Sequence, residues 1–311
     1  MDRAVRIGVV GVGYLGRFHA LIYSRLDGVE LVGVADTDPA RAQAVAAEAG
    51  CAAHADPAAL LGLVDAVSIV VPTTAHLDVA RPYLQAGVHT LLEKPVAPDM
   101  DQGREIVRLA EASGAILQIG HLERFNAGIM ALAARIDRPR FIEAQRMGGF
   151  KERATDVDVV SDLMIHDIDI ILSLVGDALT DVRAVGTPVL TEHVDIANAR
   201  LEFANGAVAN IVASRVSDQT TRRIRVFQPG AYLSLDFVGQ TLDIARPVPQ
   251  PGQPRPEIVR ERIAVEPVKP LDAEIAAFVD SVRTGRRPLV DGAVGLRALE
   301  VALEVGRRMA D

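Results

Sequence analysis

The sequence has little cysteine, no excess of positive charge and no long apolar run. Cys51 is the single cysteine among 311 residues, so no internal disulfide can form. The net charge of −8 argues against nucleic acid or an anionic membrane as the main partner. No apolar run approaches the roughly 20 residues of a membrane span, and the first residues show no secretory signal pattern. These absences favour a soluble cytoplasmic protein.

Residues 1–120 alternate short apolar runs with helical runs. The runs "VRIGVVG", "ELVGVAD" and "DAVSIVVP" predict strands, and "PARAQAVAAEA" predicts a helix. The strand runs are continuously apolar rather than alternating, which indicates burial on both faces. Helices that cover a parallel sheet produce this pattern. We therefore predict an α/β domain built on a doubly wound parallel sheet.

Residues 121–311 follow a different pattern, typical of a second domain. The run "IANARLEF" alternates in hydrophobicity, and Asn205-Gly206 predicts a tight hairpin turn after it. The proline-rich run "IARPVPQPGQPRPEIV" predicts an extended surface loop. We expect an α+β domain with a large, mostly antiparallel sheet. Two closing helices follow, and they can pack back on the first domain.

A glycine-rich turn predicts a dinucleotide site. Gly11, Gly13 and Gly16 form G-x-G-x-x-G directly after a strand and at the start of a helix. The first glycine permits the turn, the second lets the backbone approach a pyrophosphate, and the third lets helix pack on strand. The next strand ends in Asp36, whose carboxylate suits a ribose 2′-hydroxyl and would repel a 2′-phosphate. NAD is therefore predicted over NADP, although Arg41 lies close in sequence and could help to bind a 2′-phosphate.

Two further stretches carry candidate catalytic groups. In "LLEKPVAP", Lys94 follows a predicted strand at the end where ligands of open α/β sheets bind. A lysine there can stabilise a developing alkoxide, although a plain surface lysine is an equal alternative on spacing alone. In "DLMIHDID", a helix would place Asp162, His166 and Asp169 within a wedge of roughly 60°, with Asp167 on the other side. Such a stripe is either a satisfied buried network or a working site.

Together, the glycine turn, "VPTTAH", "EKP" and Asp162-x-x-x-His166-x-x-Asp169 resemble the glucose–fructose oxidoreductase / inositol dehydrogenase (Gfo/Idh/MocA) family, in order along the whole chain. The resemblance implies a Rossmann domain and a C-terminal α+β domain whose open sheet often forms the oligomer interface, hence a homodimer or homotetramer. It implies that Lys94 and His166 are catalytic, with Asp162 beside the histidine. Met164 departs from the glycine that the family usually has there.

These arguments assign site residues in three groups. The expected catalytic residues are Lys94, His166 and Asp162. The expected cofactor-binding residues are Gly11, Gly13, Tyr14, Leu15, Gly16, Asp36, Pro72, Thr73, His76, Glu93 and Lys94. The expected substrate contacts are Arg124, Asn126, Arg146 and His166, and no metal site is expected. Further cations that could meet a phosphate, or else be solvated or lie in a subunit interface, are Lys151, Arg153, Arg215, Arg222, Arg223 and Arg225.

The resemblance implies NAD-dependent oxidation of a ring hydroxyl of a sugar to a ketone. The segments "GHLERFN" and "ANARLEFANG", together with the predicted helix that carries His166, resemble the sequences of one branch of the family. Enzymes of that branch oxidise the 3-hydroxyl of UDP-N-acetylglucosamine. In that branch an aminotransferase then makes the 3-amino sugar used in lipid A. The corresponding uronic acid and inositol stay open as substrates. An NAD-using hydrolase or epimerase, and a non-catalytic NAD-binding regulator, stay open as classes.

Overall fold

The computed structural model of the chain describes residues 3–150, 157–265 and 268–310. The chain forms two compact units. The first unit contains the chain up to Leu122 together with Lys269–Leu299, and the second contains Glu123–Val268 and the residues from Glu300 onward. The first unit is therefore built from two separate stretches of sequence. None of the helices among the described residues combines the length and the hydropathy that a bilayer span requires.

A six-stranded parallel sheet forms the centre of the first unit, as the sequence predicts. Its strands are β1 (Val5–Val10), β2 (Val29–Ala35), β3 (Ala52–His54), β4 (Ala66–Ile69), β5 (His89–Glu93) and β6 (Leu117–Gly120). Their order, β3-β2-β1-β4-β5-β6, is the doubly wound arrangement, in which ligands bind beyond the carboxyl ends where the order reverses. The edge strand β3 is not evident from the sequence, because its two alanines have low strand propensity.

Helices complete both units. They are α1 (Tyr14–Tyr23), α2 (Pro39–Ala49), α3 (His76–Gln85), α4 (Met100–Ser113), α5 (Ala127–Ala133), α6 (Ile165–Val175), α7 (Pro270–Thr284) and α8 (Gly292–Ala310). Although α7 is distant in sequence, Ile275 and Phe278 on it share a buried apolar cluster with Ile7 of β1 and Tyr23 of α1. The closing helix α7 is thus part of the core of the first unit.

The second unit is organised around an eight-stranded sheet with the order β14-β13-β12-β11-β7-β10-β9-β8. Neighbouring strands are antiparallel except for β7 and β10. The strands are β7 (Phe141–Met147), β8 (Leu179–Thr187), β9 (Ile196–Phe203), β10 (Val208–Ser214), β11 (Thr221–Gln228), β12 (Ala231–Asp236), β13 (Thr241–Val248) and β14 (Glu257–Ala264). The turn predicted between β9 and β10 is present, because Gly206 has φ +78° and Asn205 Oδ1 accepts the Ala207 N–H.

The prediction of a surface loop for the proline-rich run is wrong for about half of the run. Its first residues belong to β13 and its last residues to β14, which pair antiparallel. Pro247 lies in the part of β13 beyond Ala245, where β14 is the one strand that pairs with it among the described residues. Only residues 249–256 connect the two strands.

Candidate active site

The glycine turn after β1 has the shape that a dinucleotide requires. Gly11 has φ +81°, and a Cβ there would lie 2.5 Å from the Val70 carbonyl oxygen. A Cβ on Gly16 would collide with the Gly11 carbonyl oxygen. Around Gly13, by contrast, no heavy atom of the described residues beyond its chain neighbours lies within 4 Å of the Cβ position, so this face of the turn is open. α1 begins at Tyr14 immediately afterwards, which presents free backbone amides to an anion.

The side chains of the first residues of α1 are partly exposed next to this turn. The side chain of Tyr14 is 78% exposed, and its ring meets that of Phe18 edge to face. Leu15 is half-buried. Tyr14 is therefore an exposed side chain next to Gly13 in the turn, and its contact with a cofactor stays a prediction.

Asp36, at the end of β2, lies beside the glycine turn. Its Oδ2 accepts the Val12 N–H at 2.9 Å, and its Oδ1 accepts the Asp38 N–H at 2.9 Å. Arg41 Nη1 lies 3.5 Å from Asp36 Oδ2, and Arg41 also pairs with Asp38. The arginine is therefore engaged by two carboxylates. An acid fixed at this position would repel a 2′-phosphate, so the residues present fit NAD.

His76 joins two loops at the ligand end of the sheet. It follows the segment of Pro72 and Thr73, in which Pro72 is exposed and Thr73 is half-buried. Its Nδ1 lies 3.2 Å from the Val96 carbonyl oxygen, and its Nε2 lies 3.1 Å from that of Val71. Burial lowers the pKa of His76, so its ring is neutral near pH 7 and donates from one nitrogen only. The structure thus gives His76 a role in holding the loop after β4 to the loop after β5.

Lys94 lies directly beyond the carboxyl end of β5, where the motif places it, and is half-buried. The carboxyl group of the preceding Glu93 points into the unit and is 6% exposed. Its Oε2 accepts the Lys94 N–H at 3.3 Å, and its Oε1 lies 3.4 Å from Nε2 of His19. The Lys94–Pro95 peptide bond is cis. Glu93 therefore holds the backbone of Lys94 from inside, although the sequence assigns it to the cofactor.

In the second unit, the segment with the candidate histidine begins with a π-helical turn. The turn covers Val160–Met164, and α6 continues from Ile165. Asp158 precedes it, and its carboxylate accepts the Ser161 N–H at 2.7 Å. A π-turn closes over one more residue than an α-turn and is frequent at functional sites. The wedge expected for a regular helix therefore does not apply to Asp162, which lies inside the π-turn.

The polar residues of this segment divide into two pairs by burial. Asp162 and His166 are half-buried, whereas Asp167 and Asp169 are buried. Asp169 pairs with Arg124 at 3.3 Å. Asp167 likewise forms a salt bridge, with Arg146, so both buried acids have structural partners. Asp162 and His166 are the pair that solvent can reach.

A buried ion network holds α6 against β7. Arg146 donates from Nε and Nη2 to the two oxygens of Asp167 at 2.8 and 3.0 Å, and from Nη1 to Glu123 at 3.0 Å. Arg222 also donates to Glu123. The guanidinium carbons of Arg146 and Arg222 lie 5.9 and 5.4 Å from the centre of the Phe237 ring. Burial favours the neutral acid, but the two guanidinium charges outweigh it and lower the pKa of Glu123.

These contacts change the interpretation of the expected substrate residues. The guanidinium groups of Arg146 and Arg124 are bound to internal carboxylates. Asn126 uses its Oδ1 to accept the Gly128 N–H at 2.9 Å at the start of α5. Each of the three residues therefore has a structural partner inside the second unit, which the charge pattern of the sequence does not reveal.

The other arginines that the sequence offers for a phosphate are also paired. Arg223 lies 3.3 Å from Asp236, and Arg225 lies 3.0 Å from Glu143. Arg215 lies 3.4 Å from the buried Asp195. Lys151 and Arg153 lie outside the described residues.

Two residues that the sequence analysis does not single out lie near the end of β5. His19 on α1 approaches Glu93, and Glu274 on α7 is fully buried. One signal could have identified Glu274. It precedes the buried Phe278 by four residues, so it lies on the apolar face of an amphipathic helix, where an acid is unexpected.

Comparison with known proteins extends these observations. Residues 5–121 match the model of an oxidoreductase family with an NAD-binding Rossmann fold, and residues 129–230 match the GFO/IDH/MocA C-terminal domain. The chain is 42% identical over 302 residues to UDP-N-acetylglucosamine 3-dehydrogenase of Acidithiobacillus ferrooxidans, which covers 97% of this chain and 96% of that protein. A solved structure of that enzyme matches with a TM-score of 0.93 at 41% identity, covering 99% of this chain and 98% of the other. The chain is also 28% identical to an inositol 2-dehydrogenase of Rhizobium meliloti, over 99% of this chain and 97% of that protein.

Proposed function

The chain belongs to the Gfo/Idh/MocA family of NAD-binding oxidoreductases, and from that premise we propose that it oxidises the 3-hydroxyl of UDP-N-acetylglucosamine to a ketone. The observation that carries the proposal is the 42% identity to an enzyme of that name across 97% of this chain. Lys94, Asp162 and His166 stand at the positions that the family motif gives to its catalytic residues.

The first unit supplies the cofactor-binding residues of the proposed enzyme. Gly11, Gly13 and Gly16 leave the start of α1 open to the pyrophosphate of NAD, and Asp36 would accept hydrogen bonds from the adenosine ribose. NAD, when bound, accepts a hydride from the carbon that bears the reacting hydroxyl.

The reacting hydroxyl needs a base and a stabilising charge. We assign the base to His166, whose imidazole takes the hydroxyl proton and whose ordinary pKa lies near neutral pH. Lys94 provides the positive charge that stabilises the alkoxide as the hydride leaves the carbon. Asp162 precedes His166 in the π-turn and is assigned to orienting the imidazole. The products are a ketone, a reduced cofactor and one proton.

The proposal that the substrate carries a nucleotide is supported by sequence identity and not by a cluster of positively charged side chains. Arg146, Arg223 and Arg225 are each paired with an acid of the same unit. In the described part of the chain, these arginines therefore do not form an open cluster of cations that would support diphosphate binding. Inositol oxidation is the second candidate, and the 28% identity to an inositol 2-dehydrogenase over 99% of this chain favours it.

Two further assignments complete the proposal. Oxidation of an alcohol by NAD is unfavourable near neutral pH, so a reaction that consumes the ketone must follow. We assign this step to an aminotransferase that forms a 3-amino sugar. We also propose that the chain forms a homodimer or homotetramer through the open face of the eight-stranded sheet.

The function is tested by the formation of NADH from NAD in the presence of four substrates. These are UDP-N-acetylglucosamine, its uronic acid, glucose and myo-inositol, each with hydroxylamine to trap the ketone. NADH formation with UDP-N-acetylglucosamine is the expected result. NADH formation with myo-inositol alone would replace the proposed substrate with the second candidate. Cofactor that stays bound through purification without net NADH would instead favour the hydrolase or regulator classes.

A further inference from the structure

A buried polar cluster lies in the first unit beneath the strand end that carries Lys94. We call it the Glu93 cluster, and its members are Glu93, Glu274, His19, Ser68 and Tyr23. They come from β5, α7, α1, β4 and α1, respectively. Each of these residues is at most 6% exposed, so contacts inside the unit decide their protonation.

One side of the cluster is a chain of hydroxyl and imidazole groups. Tyr23 Oη lies 2.8 Å from Ser68 Oγ, and Ser68 Oγ lies 3.2 Å from His19 Nδ1. Burial raises the pKa of Tyr23, so its hydroxyl keeps its proton. If Tyr23 donates to Ser68 and Ser68 donates to Nδ1, the Nε2 proton of His19 faces Glu93. That nitrogen lies 3.4 Å from Glu93 Oε1, which is within ion-pair reach but longer than a good hydrogen bond.

The other side of the cluster is Glu274, which has 0% exposure. Among the described residues, neither of its carboxyl oxygens has a hydrogen-bond partner. Gln118 Nε2 donates to the Glu274 backbone oxygen at 3.1 Å, which places this turn of α7 over β6. An ionised carboxylate in such a position would lose several kcal/mol of solvation with no compensating contact.

The charges around Glu274 act in the same direction. Burial, and then the charge of Glu93, raise the pKa of Glu274 well above 4.5. Among the described residues, the titratable groups near the cluster include Tyr23 and His19 on α1, His76 on α3, whose pKa burial lowers, and Lys94, which follows Glu93 in the chain. His19 lies at ion-pair distance from Glu93. Because Glu274 has no counter-ion among the described residues and a second negative charge near Glu93 would be unfavourable, Glu274 is the acid that keeps its proton.

We propose that Glu274 carries a proton at neutral pH and, as a neutral buried group near Glu93, is a positioning residue for the strand end that carries Lys94. Glu93 is confined on its other side by Gly120 of β6, where a Cβ would lie 2.8 Å from the Glu93 carboxyl atoms. The fixed carboxylate accepts the Lys94 N–H at 3.3 Å and so sets the backbone from which the lysine extends. The inference rests on the proposed function, because it concerns how Lys94 meets the substrate hydroxyl.

Three variants of the full chain test the inference. Glu274→Gln replaces a protonated acid by a neutral group of the same shape. Glu274→Ala removes the group, and Glu274→Asp, which shortens it by one carbon, takes its place if the alanine variant does not fold. Glu261→Gln is the matched control, since Glu261 is exposed on β14 in the other unit.

The first readout is the infrared carbonyl band of a protonated carboxylic acid at neutral pH. We expect this band in the wild type and in Glu261→Gln, and its loss in Glu274→Gln. A band that is unchanged in Glu274→Gln would overturn the protonation of Glu274. This readout does not depend on any substrate.

The second readout tests whether Lys94 is displaced, by measuring turnover and the chemical modification of its amine. We expect Glu274→Ala to lower kcat by on the order of 10- to 100-fold, because small displacements of a catalytic group have effects of this size. Glu274→Gln should retain most of the turnover. In parallel, the rate at which an amine-specific reagent modifies Lys94, with Lys269 as the internal reference, should change in Glu274→Ala and not in Glu274→Gln. Unchanged turnover and unchanged modification in Glu274→Ala would overturn the positioning role.

The proposed function and the inference about Glu274 can be refuted independently of each other. If the wild type oxidises no sugar, the proposed function fails, while the infrared band and the modification of Lys94 still decide the inference. If the wild type is active but both readouts contradict the role of Glu274, the inference alone fails.

Discussion

The guanidinium group of Arg146 binds the carboxylate of Asp167 through two parallel hydrogen bonds of 2.8 and 3.0 Å. The pair joins the middle sheet strand β7 to the residue directly after His166. Because both groups are buried, the rotation of α6 is fixed at this point. A rigid helix gives the imidazole of His166 a defined direction, which the proposed proton abstraction requires.

This network makes a prediction about stability. Arg146→Met would leave Asp167 and Glu123 buried without their main partner, so we expect unfolding free energy to fall by about 3–5 kcal/mol. The matched control is Arg223→Met, because Arg223 pairs with Asp236 at the surface and should contribute about 1 kcal/mol or less. Urea denaturation followed by circular dichroism measures both. Equal effects of the two substitutions would show that the network does not stabilise the second unit.

The catalytic assignment predicts a large loss of turnover with intact cofactor binding. Lys94→Ala and His166→Ala should each lower kcat by on the order of 10²–10⁴-fold, the usual contribution of a positioned acid or base. Titration of NAD against each variant should give nearly the wild-type Kd. Lys269→Ala is a control at a lysine outside the site. The assignment is wrong if both variants keep turnover near that of the wild type.

Asp36 is predicted to select the cofactor. Asp36→Ala should weaken NAD binding and reduce the preference for NAD over NADP, because the acid that repels a 2′-phosphate is gone. Asp56→Ala is the control, since Asp56 caps the short helical turn Pro57–Leu60 and should cost about 1 kcal/mol of stability without changing the preference. Kinetics with both cofactors give the ratio. An unchanged ratio in Asp36→Ala would mean that another residue reads the ribose.

The burial of Glu274 leads us to expect that its contribution to the stability of the folded protein falls as pH rises. Its pKa in the folded protein lies well above the ordinary value of 4.5, so the folded state binds a proton that the unfolded state has released. The contribution of Glu274 is therefore complete below pH 4.5 and is lost as pH rises towards the folded pKa. Relative to the wild type, Glu274→Gln should gain thermal stability as pH rises. Parallel profiles of Tm against pH for the two proteins would contradict this prediction.

Much of the fold follows from local patterns in the sequence. Continuous apolar strands, the glycine turn and Asp36 at the end of β2 predict the doubly wound sheet and its ligand-binding edge, and the structure confirms this fold. The alternating run in β9 and the turn at Asn205-Gly206 likewise predict an antiparallel sheet that is present. These features depend on contacts between neighbouring segments, which the chain order already specifies.

The remaining features depend on contacts that the chain order does not specify. The π-turn that contains Asp162 has the same composition as an α-turn, so the pattern cannot reveal it. The proline-rich run contributes residues to both strands of the β13–β14 hairpin, and this pairing is a matter of sheet register that the prolines do not indicate. Arg146 resembles a substrate contact by charge alone, and its partner Asp167 is 21 residues away.

The most direct test of the proposed function uses UDP-N-acetylglucosamine carrying deuterium on carbon 3. The full chain is incubated with this substrate, NAD and hydroxylamine, and the reduced cofactor is analysed by mass spectrometry. We predict that the deuterium appears in the reduced cofactor and that the rate falls relative to the unlabelled substrate where hydride transfer is limiting. Reduced cofactor that forms without deuterium would show that another carbon is oxidised and would contradict the assignment of the 3-hydroxyl.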